Sequence, residues 1–249
     1  MDLRERNSVD AKRHPWETVR SAFFNRKIVG LTSEQPVHVL DIGSGDCWFA
    51  EKLLPNLPKG SQITCCDLNF TDEDIAAFSI PGITKVREIP QQSFDVVIML
   101  DVLEHIEDDA AFLQHDVMPR LKPESHLVIS VPAHPTLFTS HDEFLGHYRR
   151  YTRRKLLDVS GKFFCIDSHG YLFISLALVR MLQRISPSKA TATESGVGNW
   201  GAGLIVTSLV SSALFIDAFV SRALQTIRVR TPGLTVWTIC SPKPLVAPQ

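Results

Sequence analysis

The chain alternates short apolar runs with segments of helical period. Val37 to Ile42 is apolar on both faces around Leu40, the pattern of a strand covered on each side. Similar runs follow at Ile63 to Asp67, Val86 to Ile89, Phe94 to Asp101, His126 to Val131, Phe163 to Asp167 and Leu234 to Cys240. Between them lie helical patterns at Asp46 to Leu54, Asp72 to Phe78, Asp108 to Leu121, Thr152 to Val159, Gly170 to Ile185 and Gly203 to Val220. An amphipathic helix over Asp10 to Asn25 precedes them, with Trp16, Val19, Phe23 and Phe24 as its apolar stripe. Pro55, Pro123 and Pro132 punctuate the elements.

Strand–helix alternation with short connections predicts an α/β fold. We expect a Rossmann-like, doubly wound, mostly parallel seven-stranded sheet with helices on both faces and a helical insertion before the last strand. The 249 residues suit one domain. Within it, residues 1–36 form an N-terminal helical cap, 37–132 a cofactor-binding core, and 133–249 the substrate-side loop, apolar helices and closing strands. Pro187 to Trp200 reads as a polar linker.

Such sheets bind ligands beyond the carboxyl ends of their strands. Asp41, Asp67 and Asp101 each stand at such an end. The stretch Asp41-Ile-Gly-Ser-Gly45 is a strand, a tight turn and the start of a helix. Its glycines allow a ligand close to the backbone. A dinucleotide site would have a third glycine where Trp48 stands, which argues against a bound pyrophosphate and an NAD-dependent oxidoreductase. S-adenosylmethionine has no phosphate and makes no such demand. Asp67 is placed to accept its ribose hydroxyls, and Asp41 to order the turn and help hold its ammonium.

Charge and composition narrow the partners. A formal net charge of −1 gives no global basic field, so nucleic acid is not expected as a partner. Five cysteines without metal-type spacing point to reduced thiols, and the charged N-terminus does not read as a signal peptide, so a cytoplasmic location is expected. The apolar helices leave two contacts open, a peripheral one with a membrane and a homodimer.

Taken together, Val39-Leu-Asp-Ile-Gly-Ser-Gly45, Cys66-Asp67, Phe94 through Asp108 (with Asp101-Val-Leu-Glu-His105 inside it) and Leu121-Lys-Pro123 resemble the class I S-adenosylmethionine-dependent methyltransferases. Residues 130–152 and Pro232-Gly-Leu-Thr-Val-Trp237 are similar to a small-molecule branch of that family, of methyltransferase type 11/12 character. The resemblance implies that Gly43 and Gly45 line the methionine end of the cofactor, with Asp41 behind them. It implies that Asp67 binds the ribose, that Leu68 packs on the adenine, and that Asp101 and Val102 flank the cofactor. Cys47 departs from the pattern, standing where the family commonly has a glycine.

The polar loop after the fifth strand is where the acceptor is expected. His141 or His147 is the expected base for a hydroxyl acceptor. His134, Tyr148, Arg149 and Arg150 are candidate substrate contacts; the arginines suit a phosphate or carboxylate, and the same run equally suits a loop anchored by its tyrosines. Asp101, Glu104 and His105 carry ligand-type side chains, but local packing accounts for them and no metal is expected. The expected function is methyl transfer to a small-molecule acceptor at oxygen, lipid-like or saccharide-like acceptors included. The alternatives are transfer to nitrogen or carbon, or a catalytically inactive cofactor-binding partner subunit.

Overall fold

The computed structural model describes residues 13–185, 200–226 and 231–244. The polar stretch from Pro187 to Glu194 and on to Asn199 lies outside them, as do Asp10 to Lys12 of the expected first helix.

Seven strands form one sheet in the order β3-β2-β1-β4-β5-β7-β6. They are β1 (His38–Ile42), β2 (Gln62–Cys66), β3 (Ile83–Val86), β4 (Phe94–Leu100), β5 (Leu121–Pro132), β6 (Phe164–Leu172) and β7 (Thr235–Pro242). The strands from β1 to β5 pair in parallel, and β7 runs antiparallel between β5 and β6. The expected doubly wound sheet with a helical insertion before the last strand is therefore present.

Both faces of the sheet are covered, as the unbroken apolar runs require. Val39, Val96, Ile98 and Val128 point to one core, with Val19, Phe24 and Ile28 of α1 (Pro15–Val29) and Leu53 of α2 (Trp48–Leu53). Their neighbours Leu40, Val97, Met99 and Ile129 point to the other, with Leu113, Val117 and Leu156. This odd–even division is the strand period of two, expressed on two buried faces.

The remaining helices are α3 (Asp72–Ala76), α4 (Asp109–Phe112), α5 (Ser140–Leu145), α6 (Arg153–Gly161), α7 (Ile174–Ile185) and α8 (Leu204–Thr226). Thr71 and Asp74 form a reciprocal cap on α3, and Thr152 caps α6 as the sequence suggests.

Several boundaries differ from the expected ones. The third strand lies at Ile83–Val86, earlier than Val86 to Ile89, because Ile83 pairs with Ile63. The helix expected from Asp108 to Leu121 is regular only over Asp109–Phe112, then widens across Leu113–Val117 and tightens at Met118–Arg120 around Pro119. The helix expected from Gly170 begins at Ile174, because Gly170, Tyr171 and Leu172 pair with β7 and stay in the sheet.

Candidate active site

The glycine turn after β1 is fixed by the end of β2. The Cys66 carbonyl accepts from Gly43 N–H at 2.7 Å and from Ser44 N–H at 3.2 Å. The Asp67 carboxylate accepts from Gly45 N–H at 2.9 Å and from Asn69 N–H at 2.9 Å. Gly43 adopts φ +66°, and a Cβ there would lie 2.5 Å from Val102 Cγ2, so this position admits no side chain. Cys47 has φ +66° as well, with its thiol fully buried beside Ser44.

Asp41 is buried directly behind this turn. Burial, followed by repulsion from Asp67, pushes its pKa up to about 7. Asp101 follows β4 with φ +60°. Leu68 is 82% exposed, an open apolar face next to Asp67.

The sequence reading did not identify the part played by α1. Arg20 pairs with Asp101, and Arg13 pairs with Asp46 and stacks over Trp48. Arg13, Glu17 and Arg20 are spaced i, i+4 and i+7; Glu17 and Arg20 share a face of α1, and Arg13 stands just before its N-cap, His14. That spacing was the available signal. Together with Asp41, Gly43 and Trp48 they line a cleft of about 60 Å³.

The residues present fit S-adenosylmethionine. Asp67 offers acceptors for the ribose, Leu68 an exposed apolar face for a base, and Gly43 a turn free of side chains.

The region where the sequence leads us to expect the acceptor is assembled from distant segments. A short turn over Leu103–His105 follows Asp101. Glu104 in it is fully buried, and its carboxyl oxygens have no hydrogen-bond partner among the described residues. Burial, then repulsion from Asp101, raises its pKa well above the usual range. His147 packs its ring edge-on to His105 at 4.6 Å, and Glu104, His105 and His147 place their ligand atoms within 4.8 Å of one another. By residue type and spacing these three could hold a metal ion.

Asp142 organises the loop above them. It lies on α5, fully buried, and accepts from Thr139 N–H at 2.9 Å. Arg150 binds it through two nitrogens at 2.8 and 3.0 Å, and His147 Nδ1 lies 2.9 Å from its Oδ1. Burial alone would raise its pKa; the bonds from His147 and Arg150 overcome that and hold it below the ordinary carboxylate range. An ionised carboxylate only accepts, so His147 donates to it through Nδ1–H.

The basic run turns inward. Tyr148 N–H donates to the Glu104 carbonyl at 2.8 Å, while its ring remains 53% exposed. Arg149 bonds the Glu107 carbonyl at 2.6 Å and pairs with Asp109 at 3.1 Å. The Tyr151 hydroxyl donates to Asp109 at 2.8 Å. Arg149 and Arg150 thus spend their guanidinium groups on the protein's own carboxylates and carbonyls.

The other two histidines stand elsewhere. His141 is on α5, stacked against Phe144, with its pKa lowered by burial. His134 adopts φ +63°, stacks on Tyr171 at 5.6 Å and lines a separate cleft of about 310 Å³ with Thr152, Arg153 and Pro232.

A family model described as a methyltransferase domain matches residues 15–185. No curated protein matches the chain. Among solved structures, an S-adenosylmethionine-dependent methyltransferase from Archaeoglobus fulgidus superposes with a TM-score of 0.52 at 16% identity, over 90% of this chain and 93% of that one. Phosphoethanolamine N-methyltransferase 2 of Haemonchus contortus, bound to S-adenosyl-L-methionine, gives 0.54 at 20% identity, over 92% of this chain and 53% of that one. A Haloferax volcanii methyltransferase in complex with the Trm112 activator gives 0.52 at 12% identity, over 91% and 92%. With the strand order, the glycine turn and Asp67 already in place, the match over 15–185 settles the family: the chain belongs to the class I S-adenosylmethionine-dependent methyltransferases.

Proposed function

We propose that this methyltransferase acts on a hydroxyl group of a small molecule, with His147 as the general base. The observation that carries this reading is the Asp142–His147 pair at 2.9 Å. Asp142 fixes the imidazole and its tautomer and stabilises the imidazolium formed when Nε2 takes the acceptor's proton. Tyr148 N–H and the Tyr151 hydroxyl tie this loop to the turn beyond β4, which keeps the base beside the end of the cofactor strand. When bound, S-adenosylmethionine supplies an electrophilic methyl group on its sulfonium. Asp67, the glycine turn and Leu68 hold that cofactor, and alignment of the acceptor supplies much of the rate.

His141 is the second candidate base, and its half-buried position beside the exposed Phe144 suits contact with an acceptor as it enters. His134 and Tyr148 suit more distant acceptor contacts. Turnover is metal-independent in this reading, with Glu104 and His105 serving the packing of the turn beyond β4.

The test is a labelled-methyl assay over hydroxylated, saccharide, lipid-linked and amine acceptors. His147→Gln should lower kcat by about 100-fold or more, while S-adenosylhomocysteine still raises the Tm. An unchanged kcat would remove His147 as the base, and turnover confined to amines would reassign the acceptor atom. Activity lost to a chelator and restored by a divalent cation would make Glu104, His105 and His147 metal ligands instead.

A further inference from the structure

Helices α7 and α8 carry an apolar surface that the described protein leaves open. α8 is held on the body by one stripe. Leu214, Asp217, Ala218 and Ser221 are buried at helical spacing, against α1 and β6. Asp217 is fully used inside this contact. It accepts from Ile174 N–H at 3.0 Å and Ser175 N–H at 2.8 Å, and so caps the start of α7.

The opposite face of α8 presents Ile205, Leu209, Ile216 and Phe219, which are 64–78% exposed. On α7, Leu178, Val179 and Leu182 extend the same surface. Residues Leu204–Leu224 are long and apolar enough to cross a membrane, yet Leu214, Asp217, Ala218 and Ser221 seat the second half of the helix on protein. A helix so held lies along a lipid surface rather than through it.

Charge decides between a bilayer and a second copy of the chain. Asp217 is the sole acid in the described parts of the two helices, and it is buried. Arg180 and Arg222 are exposed, and Lys27 of α1 stands within electrostatic reach of Arg222. A two-fold dimer through this face would press these cations towards their own copies. An anionic headgroup layer pairs with them, and its hydrocarbon takes up the large side chains.

We propose that the α7–α8 face docks on an anionic lipid bilayer, with α8 lying in the interface plane. This goes beyond the methyl-transfer reading and does not depend on it. The charge of Arg180 reaches His141 on the acceptor loop, and Trp200, just before α8, packs edge-on to His14 at the start of α1 at 4.6 Å.

The test is flotation of the full chain with phosphatidylcholine vesicles, with and without phosphatidylglycerol, at low and high salt. The wild type should float with the anionic vesicles and lose binding in high salt. Arg180→Glu with Arg222→Glu should weaken that binding roughly tenfold or more. Ile216→Glu with Phe219→Glu should abolish it, while S-adenosylhomocysteine still shifts the Tm as proof of folding; Leu182→Glu with Leu209→Glu is the second such pair. A wild type that floats with neither vesicle overturns the proposal. So does a charge-reversed pair that binds like the wild type. A dimer in size-exclusion chromatography that ignores vesicles and is split by Ile216→Glu with Phe219→Glu would assign the face to a second copy.

Discussion

The cofactor cleft and the loop after β5 each bury one aspartate, and the two are shifted in opposite directions. Asp41 is 4% exposed and Asp142 is 0% exposed. Burial raises Asp41 to about 7, with Asp67 adding repulsion. Asp142 suffers the same desolvation but receives Arg150, His147 and Thr139, and is driven the other way. Burial sets the penalty, and the neighbours decide whether the charge survives it. Asp41 meets mainly desolvation and a second carboxylate, whereas Asp142 meets Arg150, His147 and Thr139.

The same substitution should therefore act differently at the two positions. Asp142→Asn leaves Arg150 and His147 without their anion. We expect a loss of about 3 kcal/mol of stability, read by chemical denaturation near neutral pH, and loss of most turnover. The depressed Asp142 pKa contributes stability that is present above the unfolded carboxylate value and is lost only as the pH falls through the folded one. The Asn variant should thus differ most from wild type above about pH 4. A variant as stable as wild type would mean that Arg150 and His147 have other partners.

Asp41 carries the opposite sign. Its raised pKa gives stability that is full below the unfolded value and lost as the pH rises through about 7. Between pH 5 and pH 8 the wild type should lose about 2–3 kcal/mol that Asp41→Asn does not lose. Calorimetry should show S-adenosylmethionine binding tightening over the same interval in the wild type only. Parallel stability curves for the two proteins would refute the assignment.

The turn itself gives a finer comparison. Gly43→Ala forces a side chain into a left-handed backbone and against Val102, and should cost about 2 kcal/mol and remove the cofactor-induced Tm shift. Cys47→Gly relieves a left-handed backbone but gives up a buried thiol, so the two effects oppose and the net change should stay within about 1 kcal/mol. A larger loss would show that packing of the Cys47 thiol outweighs the strain.

The cofactor half was the more legible in sequence because its parts are local. Asp41, Gly43 and Gly45 lie within one strand and turn, and Asp67 and Asp101 each end a strand whose apolar run announces it. The acceptor half was legible only as a set of residue types. His147 and Arg150 were named as candidates, but neither composition nor period showed that Asp142 would bind both, or that Glu104 and His105 would face His147. Arg13 and Arg20 were missed although their spacing was visible, because nothing in α1 says which strand ends it crosses.

The sequence by itself determined the alternation of strands and helices, the glycine turn and the acids at strand ends, since these follow from backbone geometry and short-range periodicity. Only the tertiary structure decided the opposite pKa shifts of Asp41 and Asp142, the placement of Arg13 and Arg20 in the cleft, and the single stripe by which α8 is held. Desolvation and ion pairing depend on which distant side chains share a space, and residues some 40 positions apart, such as Tyr151 and Asp109, meet only once the sheet is formed.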